Sequence, residues 1–416
     1  MNAPERDRRF IARSAAAMPA DRMSIGEFIA LTAVMMSLTA MAVDVMLPAL
    51  PQIGEALGVA DPNDRQNVVI VYMLGFSLGQ LAYGRLSDKY GRKPVLMVGM
   101  AIFIVGSLAA SLASGFALLL CARAVQGLGA AAPRVLAIAI VRDRFAGRQM
   151  ARVMSFAMAV FIIIPVLAPG MGQGVLAFGT WRHVFDLLLV AGVLVALWAA
   201  VRLPETAHVG REGPLPLGRS IRLALATRQT IGYAVAGGLV FGCVLAYVAS
   251  AQQLFVDVFG LGAAFPLAFG AIALTIGAAS LTNAQLVEQL GMRRVSHFSL
   301  AGFIVLSLAL VLAAQLGWAN VARFIGLMAV LFFLFGLIAP NFNALAMEPQ
   351  GDNAGMASSV VGFVSTAAGA LVGGIIGHMF DGTVLPLALG FLCLSAAAFA
   401  VVLWVEGPRG LFHPGR

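Results

Sequence analysis

Asp44 is a carboxylate set deep inside an apolar run, FIALTAVMMSLTAMAVDVMLPAL at 28–50. In hydrocarbon a charge costs at least about 2.5 kcal/mol unless it has a partner or a purpose. A carboxyl held there can take up and release a proton as its surroundings change, so Asp44 is the first candidate for coupling a proton to another process. Two cations lie at similar depth in the run from 117 to 141, Arg123 and Arg134. Arg123 keeps its proton under ordinary conditions and cannot shuttle one. It can favour the charged form of a facing carboxylate, or it can be a structural arginine that binds backbone carbonyls. Arg134 follows on nearly the same helix face, about 16 Å further along the axis. Two readings of it stay open: it snorkels to the headgroups, or it lines a cavity and favours anionic or carboxylate-bearing ligands.

The elements that must position these groups are helices in a bilayer. Hydrophobic residues make up 60% of the chain and charged residues 11%, against about a quarter charged in a soluble domain; mean hydropathy is +0.92. Apolar runs long enough to cross about 30 Å of hydrocarbon fall near 26–50, 66–83, 95–115, 117–141, 150–177, 184–203, 229–251, 263–287, 295–316, 319–345, 354–379 and 383–405. Runs this long, without period-two alternation, are helices and not barrel strands. The expected class is therefore an all-α integral membrane protein with twelve spans. The first run has no small-residue cleavage pattern behind it and reads as a retained helix. With the N-terminus cytoplasmic, only Arg65, Arg182 and Arg323 face outward and Arg123 and Arg134 stay within a helix; every other Lys and Arg is inside, which satisfies the positive-inside rule. The net charge of +8 thus reports topology and attraction to membrane lipids, not nucleic acid. Cys121, Cys243 and Cys393 fall in spans, so no disulfide framework or metal cluster is expected.

The expected organisation is a cytoplasmic tail (1–25), a six-helix half (26–203), a cytoplasmic linker (204–228), a second six-helix half (229–405) and a cytoplasmic tail (406–416). The halves repeat faintly: GRLSDKYGRKPV at 84–95 aligns with AQLVEQLGMRRV at 284–295, pairing Asp88 with Glu288, Gly91 with Gly291 and Lys93 with Arg293. Parallel six-helix halves around a midplane site are the pattern of an alternating-access transporter.

The loop Gly84-Arg85-Leu86-Ser87-Asp88-Lys89-Tyr90-Gly91-Arg92-Lys93 resembles the loop signature of the major facilitator superfamily. Gly84 allows close helix approach and Gly91 a tight turn, and Asp88, Arg92 and Lys93 can form a charge-assisted network. The resemblance implies that Asp88 caps a neighbouring helix and that Arg92 reaches Asp143, stabilising the outward-open state. The stretch LLLCARAVQGLGA at 118–130 is similar to the superfamily's fourth-helix motif, whose arginine, here Arg123, takes part in proton transfer. PVLAPGMGQG at 165–174, with Pro165, Pro169 and Gly170, resembles a fifth-helix motif of its antiporter branches; Gln173 stands where a glycine is expected. Three more stretches, DVMLPALP at 44–51, AIVRD at 139–143 and WRHVF at 181–185, narrow the resemblance to the bicyclomycin and chloramphenicol resistance branch of drug:proton antiporters. Val43 and Met46 replace the hydroxyl residue and the tyrosine usual beside that branch's first-helix aspartate, so its drug profile does not carry over.

Tyr72, Gln80, Gln126, Tyr247, Gln252, Asn341 and Asn343 are polar residues at depth; each either lines a mostly apolar pocket or makes an interhelical hydrogen bond. No span holds a nucleophile with a base or a metal-spaced cluster, which argues against an intramembrane enzyme, and no filter loop suggests a channel. The expectation is a monomeric multi-pass protein of a bacterial inner membrane, without cofactor. It exports small, mostly apolar molecules in exchange for protons; the alternative is a proton-coupled transporter of one metabolite, export or import.

Overall fold

The computed structural model describes residues 23–145, 147–206 and 217–410. A backbone in hydrocarbon must satisfy its polar groups within its own segment, and the apolar runs accordingly form twelve helices long enough to span a membrane. They are α1 (Ile25–Ala56), α2 (Pro62–Tyr90), α3 (Arg92–Ser111), α4 (Phe116–Arg144), α5 (Arg152–Phe178), α6 (Trp181–Arg202), α7 (Arg228–Val258), α8 (Gly262–Leu290), α9 (Met292–Gln315), α10 (Val321–Gly351), α11 (Ala354–His378) and α12 (Leu385–Gly407). The ends of α2, α4, α6, α8, α10 and α12 lie on one face with the starts of α1, α3, α5, α7, α9 and α11. It carries the Arg- and Lys-rich turns and is called here the basic face; the other is the opposite face.

Helix pairing repeats between the first six and the last six spans. In the first, α1 packs on α4, α5 and α6, α2 on α4, and α3 on α4 and α6; in the second, α7 packs on α10, α11 and α12, α8 on α10, and α9 on α10 and α12. Two pairs join the halves, α2 with α11 and α5 with α8, and they exchange under the same repeat. Small residues permit the close approaches: a side chain on Gly75 of α2 would fall on the Ala124 carbonyl of α4, and one on Gly127 on the Tyr72 carbonyl.

The turns into α3 and α9 also correspond. Gly91 (φ +99) and Gly291 (φ +80) hold backbone conformations that L side chains avoid, so each ends one helix and starts the next within a single residue. The stretch expected as a polar linker contains one further helix, Leu217–Ala226. Its Ala224 and Ile221 pack against Leu81 of α2 and Ala357 and Val360 of α11, so it touches both halves.

Candidate functional site

Asp44 owes its position to a proline. Pro48 lacks an N–H and disfavours helix in the residue before it, so the first segment of α1 ends at Asp44, passes through a 3₁₀ turn at Leu47–Ala49 and resumes at Leu50. The break lies against Gly172 of α5, where any side chain would fall on the Val45 carbonyl. Asp44 is 5% exposed, and its carboxylate has no hydrogen bond or ion pair among the described residues.

Arg123 of α4 is fully buried but does not touch Asp44. Its Nε donates to the Val68 carbonyl (3.0 Å), one Nη to the Ala42 carbonyl (3.1 Å) and the other to Gln126 Oε1; its plane lies 4.3 Å from the Tyr72 ring centre. Carbonyls in the last turn of a helix lack intrahelical donors, and Ala42 lies in the turn that Asp44 closes. Arg123 therefore grips the same helix end that carries Asp44, two residues away. Gln126 passes the chain on to Ser107 (2.8 Å). Tyr72 donates to the Thr39 carbonyl (3.2 Å) and lies within electrostatic range of Asp44, Arg123 and Arg134, which places its phenol among the three charges.

The other polar residues at depth divide by whether their polar atoms are already bonded. Gln126 is bonded as above; Asn341 donates to Asn283 and to the Leu337 carbonyl, each at 2.7 Å; Asn343 is exposed. Gln80 reaches across the halves to Thr366 (2.8 Å). Tyr247, Gln252 and Arg134 differ. The Tyr247 hydroxyl, Gln252 Oε1 and an Arg134 Nη are buried without a hydrogen-bond partner, and Tyr247 lies within electrostatic range of Asp44. Buried polar atoms are nearly always bonded, so the Tyr247 hydroxyl, within range of an unpaired carboxylate, and the unbonded Arg134 and Gln252 atoms are free to meet a ligand or water. Gln252 stands where α7 passes into a π-helical turn, Gln253–Val258, an irregularity frequent at functional sites.

On the basic face Arg92 Nε bonds Asp143 (2.8 Å) and its Nη1 bonds Asp88 and Ser87. Asp88 is 51% exposed and accepts from Arg92, not from a neighbouring helix end. The carboxylate at that helix start is Glu205, beyond α6, which accepts from the backbone N–H groups of Arg92 (2.8 Å) and Lys93 (3.1 Å). The second half has a matching cluster: Arg293 bonds Glu348 (2.7 Å) and Glu406 (3.0 Å). The sequence alignment set Arg293 against Lys93, whereas in three dimensions it does what Arg92 does. In the α5 motif Pro165 and Pro169 lie within a continuous helix, and a side chain on Gly170 would come into ordinary contact with Pro266 of α8.

On the opposite face the halves are joined directly. Asn63 donates to the carbonyls of His378 (3.1 Å) and Phe380 (2.8 Å), Gln66 to Gln253 (2.7 Å), Gln253 to Asn63 (2.9 Å), and His378 meets Asp64 at 2.8 Å. Sequence reading picked out His378 as a polar residue near the outer end of the eleventh span but missed Asn63, Asp64, Gln66 and Gln253, since amides at helix ends look like ordinary loop residues until their partners are known. It also passed over Glu205, Glu348 and Glu406; the acids' one signal is their place just beyond the end of α6 and in the last turns of α10 and α12.

The sequence profile of the Major Facilitator Superfamily matches residues 32–373. The chain belongs to that superfamily. It is a multi-pass membrane transporter and not an enzyme. The bicyclomycin resistance protein homolog of Haemophilus influenzae is 29% identical over 86% of this chain and 91% of its own length. The multidrug resistance protein MdtL of Klebsiella pneumoniae is 29% identical over 88% and 92%. Among solved structures, a partially occluded inward open conformation of the xylose transporter XylE from E. coli superposes with a TM-score of 0.71 at 12% identity, over 92% of this chain and 98% of that one. That likeness establishes the fold. Within that fold the chain carries an unpaired buried acid on α1, with the unbonded hydroxyl of Tyr247 from α7 in electrostatic range of it.

Proposed function

We propose that this protein exports small, mostly apolar molecules across a bacterial inner membrane in exchange for protons. The observation that carries the reading is Asp44: a buried carboxylate without a partner, at a helix break, beneath a face where the two halves are bonded together. A carboxyl in that position has neither a salt bridge to keep it charged nor hydrogen bonds to fix its state, so its protonation follows what enters the site. Relatives named for bicyclomycin and multidrug resistance supply the direction, outward, and the substrate type. The positive-inside rule makes the basic face cytoplasmic. The opposite face is then the outer gate, and the structure stands closed to the outside. Gln80, Gly84 and the α2–α11 and α5–α8 contacts are where the halves would rock, carrying Asp44 from one aqueous phase to the other.

Arg123 acts through α1 and not by pairing with Asp44. Holding the Ala42 carbonyl, it senses whether the end of α1 has shifted. Asp44→Asn should abolish transport driven by a pH gradient in everted vesicles, for any compound that raises the melting temperature of the purified protein, while leaving that binding measurable. Undiminished proton-driven transport by the variant sinks the reading.

A further inference from the structure

Arg134 stands apart from the other arginines of the bundle. Arg123 spends its donors on carbonyls and an amide, and Arg92 and Arg293 spend theirs on carboxylates. Arg134 makes no hydrogen bond or ion pair among the described residues; one Nη is fully enclosed, and the guanidinium lies 4.4 Å from the ring centre of Phe161 on α5. Stacking on an aromatic face leaves the in-plane N–H donors free. The charge cannot be shed. A guanidinium fork with no acceptor is built for a planar anion that binds it through two oxygens.

The direction in which it leans is set by helix chemistry. Side chains tilt toward the N-terminus of their helix. On α4 that is the opposite face and on α1 the basic face, so Arg134 and Asp44 lean toward one another. The Thr39 hydroxyl on the Ala130 carbonyl (3.2 Å) fixes the register of the two helices. Counting from that bond at the helical rise, the backbones of Asp44 and Arg134 stand about 14 Å apart along the axis, with Tyr72 in electrostatic range of both. The unbonded Tyr247 hydroxyl lies within electrostatic range of Asp44, and Tyr247 is held between Phe269 (5.5 Å) and Phe332 (4.9 Å). Arg123, at the Asp44 end, spends its donors on protein acceptors, so the interior offers an unbonded cation at the basic-face end and an unbonded carboxylate at the other.

We propose that the cargo is a small organic acid with a hydrogen-bond donor at its far end: the carboxylate docks on Arg134, the apolar body lies between, and the donor meets Asp44. This names the substrate class of the exporter site and rests on that reading for where the site is. Binding is measured without a gradient, so failure of proton coupling in Asp44→Asn leaves it standing.

The test uses purified protein in phosphatidylcholine nanodiscs and two matched pairs, N-acetylphenylalanine and N-acetylleucine, each against its neutral amide. In the parent the acids should bind roughly tenfold or more tighter than the amides, the scale of a charge-assisted bond. Arg134→Ala should erase the acid's advantage and leave amide affinity unchanged; Arg134→Lys, which keeps the charge and guards against misfolding of the alanine variant, should retain part of it. The proposal is overturned if neither acid stabilises the parent, if acid and amide bind alike, or if the preference survives in Arg134→Ala. It is likewise overturned if phosphatidylglycerol nanodiscs stabilise the parent and not Arg134→Ala, since the anion at Arg134 is then a lipid headgroup.

Discussion

The two ends of the bundle are held by different chemistry. On the basic face, arginine–carboxylate clusters tie helices together within each half, Arg92 with Asp88 and Asp143, Arg293 with Glu348 and Glu406. On the opposite face, mostly neutral amides tie one half to the other: Asn63 and Gln66 to Gln253 and to the carbonyls of His378 and Phe380. Partly buried ion pairs are costly to leave half made, whereas a neutral hydrogen bond is worth about 1 kcal/mol and exchanges with water. The ion pairs hold helices within each half; the weaker amide bonds between the halves can break without leaving a charge unpaired.

Arg92→Ala should have the largest effect. It leaves Asp143, 18% exposed, without its cation and should cost about 3 kcal/mol of stability, read as a lower melting temperature in detergent. Arg293→Ala should cost less, about 1–2 kcal/mol, because Glu348 is 42% exposed and Glu406, 13% exposed, keeps the Tyr233 hydroxyl as a donor (2.7 Å). Equal losses would mean that the tyrosine bond does not replace the arginine. Gln66→Ala tests the other end. Stability should change by no more than about 1 kcal/mol, while spin-label distances between α2 and α11 should lengthen on the opposite face; unchanged distributions would show that the amides are not the latch. Glu288→Gln should do least. Glu288 aligns with Asp88 but is exposed and without a partner among the described residues, so any loss above about 0.5 kcal/mol would contradict the comparison.

What could be read from the sequence follows from how local each property is. Run length alone gave twelve spans, because crossing hydrocarbon is a demand on each segment separately. Gly91 and Gly291 were readable because a one-residue turn with positive φ is local too. Whether a buried polar group is already bonded is not local: Gln126, Gln252 and Asn341 look alike in sequence and differ because Arg123 and Ser107, or Asn283, happen to stand beside two of them. The place of Arg293 was misregistered by one residue for a similar reason, since its acids lie in the last turns of helices distant in sequence. The linker helix at Leu217–Ala226 went unseen within a polar stretch, its apolar residues answering to Leu81, Ala357 and Val360 and not to a span.

The two seams between the halves are lined with glycine. Gly374 and Gly377 of α11 lie against Ile70 and Gln66, and Gly270 and Gly277 of α8 against Val166 and Ile162. Such seams present few knobs to lock into holes, so sliding along them requires little unpacking of side chains. If the halves rock as proposed, the contribution of these seams is to speed rather than to affinity: the polar sites would decide which state is favoured, and the smooth seams how quickly the protein passes between them.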